Sequence, residues 1–418
     1  MTYRLMRGSR TVFNSRRELF PEVALTESYH TACFDDLTLN LASHITSYRA
    51  VGEILNRLAW QDNQDQINYR TIADRVRREG RRISEWVKQK TEEILIQHQF
   101  DTESGQPLEL AQWEMTLTEN QPDAISEKEV NKVVDEYNQG REKEFQIDET
   151  HVRETFVPEE HCINVSIDDV CTVEQKPTDR MKNPPPKEAR HFVKNTVLHV
   201  QAVLQSYILN GLGIRNMLLV LTAFLLNSDM YTNKVIVFFA DGASDIKDAI
   251  RDVFGWRQYR IILDWYHLKK KCQERLSMAL RGREIRNEVL ARLLKHLWLG
   301  KVEAGIAYLK SLGSDKVRKT DEIDKLIAYF DKNWSYIPCY ALRRQLGLRI
   351  SSNQGEKAND LVVAKRQKHN GMSWSKTGSS GLASVSSMLH NHENEDWIVK
   401  RKMSFRLNQV TTDTRSAA

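Results

Sequence analysis

The stretch KVIVFFADGASDIKDAI, from Lys234 to Ile250, constrains the fold more than any other part of the chain. Six apolar residues, Val235 to Ala240, run without a break into Asp241 and Gly242, and a helix-forming segment follows at once. A continuous apolar run of this kind marks a strand covered on both faces, as at the centre of an α/β sheet. A carboxylate at its end stays hydrated or binds a cation, whereas inside the run it would carry a desolvation penalty. Function in open α/β sheets gathers beyond the carboxyl ends of strands. Asp241 is therefore a candidate site residue. Gly242 lets a ligand or backbone approach closely, and Ser244 is placed to cap the next helix.

The surrounding sequence has the same α/β grammar. CINVSI reads as a short strand running into Asp168, and VCTVEQ as a second strand directly after it. The loop KPTDRMKNPPPKEAR, with three consecutive prolines, cannot be helix. NTVLHVQAVLQSYIL supplies a third β-branched run, and GIRNMLLVLTAFLLN an apolar helix. With KVIVFFAD, the helix SDIKDAIRDVF and the strand QYRIILDWYH, the order is β-β-β-α-β-α-β. Helical sequence then fills about 268–345, and SSNQGEKANDLVVAKRQKHNGMSW follows, with Glu356 opening a late helix behind Gly355.

The first hundred residues differ. Residues 1–34 read as a leader or as part of a longer domain, and 35–100 as helical. Ser47 can cap a helix through Val51, Ile54, Leu55 and Leu58. After the polar break QDNQDQ, INYRTIADRVRREG places Ile72 and Val76 one turn apart, with Gly80 as a stop signal. Two short helices about a break, the second carrying Arg70, Arg75, Arg77 and Arg78, resemble a helix-turn-helix. The competing reading is a small bundle whose arginines solvate its outer face. Residues 101–160 are acidic and polar, and read as a linker with one helix near SEKEVNKVVDEY.

Composition bounds the rest. A chain of 418 residues argues for two or more domains, and 40% apolar residues suffice for a core. The net charge of +5 is compatible with a polyanionic partner. Five cysteines, never in a CxxC pair, give neither a disulfide framework nor a zinc motif and fit a reducing compartment. The longest apolar run, Met217 to Leu226 interrupted by Thr222, is about half a membrane span. The expectation is a soluble protein of the cytoplasm. Walker A, G-x-S-x-G and HExxH patterns are all missing, and NGLGIRN lacks the third glycine of a dinucleotide fingerprint.

Three carboxylates at element ends, Asp168, Asp241 and Glu356, suit a hard divalent ion with oxygen ligands. The element order and the motifs SIDDV, FFADGA and NQGEKANDLVVAKRQKHNGMSWS resemble the RNase H-like catalytic core of DDE-type insertion-sequence transposases, over roughly residues 160–390. LDWYHLKKKC, with His267 three residues after Asp264, is similar to the Asp/Cys-x-x-His signature of the Mutator-like superfamily. The resemblance implies an α/β RNase H-like mixed sheet with a helical insertion, filling 161–418, behind the N-terminal helical region. It implies that Asp168, Asp241 and Glu356 bind Mg2+ or Mn2+, as a pair of ions, and that Asp264 and His267 are accessory. Asp169 stands where the family pattern has a glycine, leaving open which of the adjacent pair is the ligand.

The implied partners are element ends and target DNA, with a homo-oligomer pairing the ends, and the implied location is nucleoid-associated. Basic residues beside two of the motifs, Lys269 and Lys270, then Lys365, Arg366 and Lys368, suit phosphate contacts. The alternatives are a DNA-binding protein descended from such an enzyme without its catalysis, and an RNase H-like nuclease without strand transfer.

Overall fold

The computed structural model describes residues 4–7, 10–14, 32–58, 66–152, 154–175, 191–203, 205–368 and 372–407. The chain divides into two compact units. One comprises Met1–Trp86, Val173–Val193 and Val362–Ser404, and the other Val87–Thr172, Lys194–Leu361 and Phe405–Ala418.

The first unit holds a hairpin of β1 (Arg4–Arg7) and β2 (Arg10–Asn14), then helices α1 (Ala32–His44) and α2 (Tyr48–Leu58). Ser47 accepts the Ala50 N–H at 3.1 Å and so caps α2, as its position before the periodic run predicts. Gly80 does not end a helix. α3 runs unbroken from Tyr69 to Gln97 and passes from the first unit into the second. The helix expected to stop at Gly80 thus continues to Gln97, and the helix-turn-helix reading loses its short second arm.

The second unit is built on a five-stranded sheet of order β5-β4-β3-β6-β7. Its elements begin with α4 (Leu110–Glu119), α5 (Glu127–Asn138) and the short α6 (Glu149–Val152). This stretch, read from sequence as a linker, belongs to the folded unit: Val130, Val134, Ile147 and Phe156 are buried in one cluster with Leu299, Cys339 and Leu342. β3 (Cys162–Val173) is one strand where sequence suggested two. The expected third strand is instead a hairpin of β4 (Phe192–Ala202) and β5 (Gln205–Gly211). α7 (Ile214–Asn227), β6 (Val235–Ala240), α8 (Ser244–Phe254) and β7 (Tyr259–Leu263) complete the β-β-β-α-β-α-β order.

β6 explains its own sequence. Val235, Val237 and Phe239 enter a core shared with the following helices, whereas Phe238, facing the other way, packs against Phe254 of α8 at 5.3 Å. Both faces are covered, so all six residues are buried. The helices on the first face are α9 (Trp265–Ala279), α10 (Arg283–Trp298), α11 (Val302–Lys310), α12 (Thr320–Asn333) and α13 (Tyr340–Gln345). They are followed by α14 (Asn353–Asn359), a π-helical stretch over Asp360–Lys368, and then α15 (Lys376–His390) and α16 (Asn394–Lys400) of the first unit.

Candidate functional site

β3, β6 and β7 are parallel, so their carboxyl ends lie along one edge of the sheet. Ser166 pairs with Phe239, and carrying that register on by two residues sets Asp168 beside Asp241. Ala240 pairs with Leu263, which sets Asp241 beside Asp264. Three consecutive strands thus present three carboxylates in a row. Asp168 does not end its strand, as the sequence suggested; β3 runs on, but its pairing with β6 extends only from Cys162 to Ser166. Side chains alternate along a strand. Asp168 faces the gap beside Asp241, while Asp169 accepts a hydrogen bond from the Thr196 hydroxyl at 2.6 Å.

Gly242 adopts φ +92°, a conformation that favours glycine, and a Cβ there would lie 2.9 Å from Asn333 Oδ1. The bend that aims Asp241 therefore depends on the missing side chain. Asp241 Oδ1 accepts the Ala243 N–H at 2.9 Å, and the Tyr329 hydroxyl donates to the Asp241 carbonyl at 3.1 Å. Ser244 is the first residue of α8 rather than its cap, which is Ala243 and carries no side-chain bond.

Asp264 has a different task. It is 1% exposed, and its Oδ1 accepts the backbone N–H groups of Tyr266 at 2.8 Å and His267 at 3.4 Å, capping α9. The Ser351 hydroxyl donates to Oδ1 at 3.0 Å, and the Ser352 N–H to Oδ2 at 2.5 Å. A single carboxylate thus joins the end of β7, the start of α9 and the loop that leads into α14. It bonds to the His267 backbone, not to the imidazole.

That imidazole instead meets Glu356, with Nε2 2.8 Å from Oε1. Burial opposes protonation of His267, but the Glu356 hydrogen bond and the charges of Asp264, Glu356 and Asp168 outweigh it and raise its pKa. Burial, helped by Asp241 and Glu356 and opposed by His267, raises the pKa of Asp168. Its Oδ2 accepts from the Asn359 amide at 2.8 Å. Gly355 lets α14 approach this closely, since a Cβ there would lie 2.5 Å from that of Ser166. Asn359, Ser166 and Ser352 were not legible as site residues, because their partners are distant in sequence.

Asp168, Asp241, His267 and Glu356 line one pocket, whose interior, about 10 Å³, accepts a single water-sized sphere. The donor set is chemically right for a hard cation: carboxylate oxygens, with the charges of Asp241 and Glu356 among the causes that raise the Asp168 pKa. As they stand, no three His, Cys, Asp or Glu side chains among the described residues are grouped to chelate an ion. Glu356 is turned to His267, and Asp168 to Asn359.

The expected DNA-contacting residues divide into two kinds. Arg70, Arg77, Arg78, Lys269, Lys270, Lys365 and Lys368 are exposed. Arg77 pairs with Asp74, and Arg70 lies over the Tyr69 ring at 5.9 Å. Arg75 is half-buried and bonded to Asp35 at 2.6 Å. Arg366 is 2% exposed, donates to the Ala42 carbonyl, and lies 5.0 Å from the Tyr48 ring and 5.2 Å from that of Trp374. Those two arginines hold the first unit together and present no free guanidinium surface to a phosphate.

No protein-family model matches the sequence, and no curated protein matches it. Among solved structures, the Drosophila P element transposase strand transfer complex is similar at 8% identity, over 94% of this chain and 88% of that one, with a TM-score of 0.25. A TM-score so low transfers neither fold nor function. Among the described residues no helix is long and apolar enough to cross a membrane.

Proposed function

We propose that the chain is a metal-dependent polynucleotidyl transferase of the DDE transposase type, cutting DNA at element ends and joining the freed 3′-OH to a target. One observation carries the reading: Asp168, Asp241 and Glu356, from three distant parts of the sequence, line one ion-sized pocket beyond the carboxyl ends of parallel strands. These three would hold Mg2+ or Mn2+, which would supply Lewis-acid polarisation of the phosphodiester and an activated attacking oxygen.

His267 holds a proton at higher pH than an ordinary histidine and holds Glu356 in an ion pair at the pocket wall. Asn359 orients Asp168, and Asp264 fixes both His267 and the loop before Glu356. The Glu356 carboxylate, paired with His267 here, is the ligand that would turn from the imidazole to an ion held with Asp168 and Asp241. The exposed Lys269 and Lys270 follow His267 along α9, where phosphate contacts would supply sequence-independent affinity that falls as salt rises.

The test is Mg2+- or Mn2+-dependent cleavage of DNA carrying the gene's own flanks, with Asp241→Asn and Glu356→Gln alongside. Cuts at defined ends that vanish in both variants support the reading. Undiminished cutting in either removes that residue from the site, and DNA binding without cutting by the unmodified chain favours a DNA-binding protein without catalysis.

A further inference from the structure

A second concave site lies in the same unit, between α5 and α10. Half-buried rings of Tyr137, Phe145 and Trp298 line it, with the exposed Arg141, Glu142 and Lys295 at its rim. Its open volume is about 270 Å³, close to the lower end of about 300 Å³ for small-molecule pockets. The cations are placed on the rings: Arg141 lies 4.3 Å from the Tyr137 centroid and Lys295 5.1 Å from that of Phe145. Arg344 lies 6.0 Å from the Trp298 ring.

The loop that carries Phe145 is pinned in place. Asn138 bonds reciprocally with the backbone of Ile147, at 2.7 and 3.1 Å, and Gln146 donates to the Arg141 carbonyl at 2.8 Å. Lys301 donates to the Glu144 carbonyl at 3.0 Å, and Arg292 pairs with the Glu144 carboxylate at 3.1 Å, tying the loop to the α10 side. The rings are thus held in position before any ligand arrives.

An ordinary core edge also shows aromatic rings to water, and cations often lie over them. Such an edge has no need of a concavity, nor of a loop bonded so many times to hold one ring at its wall. Three half-buried rings suit a flat ligand, with the exposed Lys295 giving up its place over Phe145, and two rim cations against one carboxylate call for an anionic one. A nucleotide unstacked from its neighbours has both properties, since bases stack on aromatic side chains while the backbone follows positive charge.

We infer that this pocket binds one nucleotide of single-stranded nucleic acid, with the base against Phe145 and Trp298 and a flanking phosphate near Arg141 and Lys295. The inference extends the proposed function by giving the substrate a second point of attachment, but its chemistry does not depend on the carboxylate site.

The experiment uses the full chain and an oligothymidylate carrying one 2-aminopurine, whose emission is quenched on stacking. Saturable quenching is expected with the unmodified protein and with Asp241→Asn. Phe145→Leu should lose the quenching and weaken binding about fivefold or more. Arg141→Glu with Lys295→Glu should weaken it further and lower the salt slope by about 1.4, at about 0.7 for each cation on a single strand. Melting temperatures identify any variant that fails to fold, and Phe145→Tyr, which keeps a ring, should restore quenching. Unchanged quenching in Phe145→Leu, or an abasic oligonucleotide bound as tightly as the intact one, overturns the proposal. So does an acidic peptide that occupies the pocket when no oligonucleotide does. Loss of cleavage with quenching intact would fall on the carboxylate site alone.

Discussion

The Asp264 carboxylate accepts the Ser352 N–H at 2.5 Å, four residues before Glu356 and 88 residues away from itself in sequence. The same group caps the helix that begins with Trp265 and carries His267, so one side chain sets the origin of both partners in the His267–Glu356 contact. Its neighbours in the carboxylate row face the pocket. Asp264 is spent on backbone and hydroxyl donors.

Asp264→Asn should therefore act on the site through its supports. An amide can accept through one oxygen only, so either the α9 cap or the Ser352 bond is lost. Residues that orient metal ligands typically cost 10–100-fold in affinity or activity when changed. We expect a loss of about that size in Mn2+ affinity and in cleavage, with far-ultraviolet circular dichroism preserved. Metal affinity equal to that of the unmodified chain would limit Asp264 to capping α9.

Gly355→Ala should weaken the same site from the other side. The new methyl would meet Ser166, and α14 would have to withdraw from β3, taking Glu356 and Asn359 with it. Ser166→Gly clears the space, so the double variant should recover most of the lost Mn2+ affinity while Ser166→Gly alone changes little. A double variant no better than Gly355→Ala would break the coupling.

The centre of the sheet was legible because its physics is local. Both faces of β6 are covered, so its run is continuous and its terminal acid conspicuous. β3 was read as two strands because Asp168 and Asp169 interrupt its apolar residues; the structure accommodates them where β3 has passed its pairing with β6 and Thr196 meets Asp169. The stretch read as a linker has few apolar residues, but Val130, Val134, Ile147 and Phe156 are all buried. Arg75 and Arg366 looked like members of basic clusters because sequence does not distinguish a solvated guanidinium from one held by Asp35 or by the rings of Tyr48 and Trp374. Asn359 had no signal at all, since its partner Asp168 is 191 residues away.

Gly80 also carries a tertiary meaning that local rules misassign. It sits inside α3, and a Cβ there would lie 2.1 Å from the carbonyl oxygen of Gly381 in α15, within the same unit. Ser84 and Ser384 meet one turn further on at 3.0 Å. Alanine is the better helix former by about 1 kcal/mol, so helix propensity alone predicts that Gly80→Ala stabilises. The crossing predicts the reverse, a loss of about 1–3 kcal/mol from overpacking. A denaturant midpoint that rises in this variant would favour propensity over the crossing.

His199 gives the chain a dependence on pH separate from the carboxylate pocket. It lies buried on β4, and burial, assisted by the Arg349 charge, lowers its pKa from 6.5 to about 4. The unfolded chain therefore takes up this proton first as pH falls. Stability from this group is complete above about 6.5 and is lost progressively down to about 4. At about 1.4 kcal/mol per unit, the loss between neutrality and pH 5 is about 2 kcal/mol. His199→Gln cannot take up that proton, so its denaturant midpoint should fall less than that of the unmodified chain over the same interval. Parallel losses in the two proteins would assign the acid sensitivity to other groups.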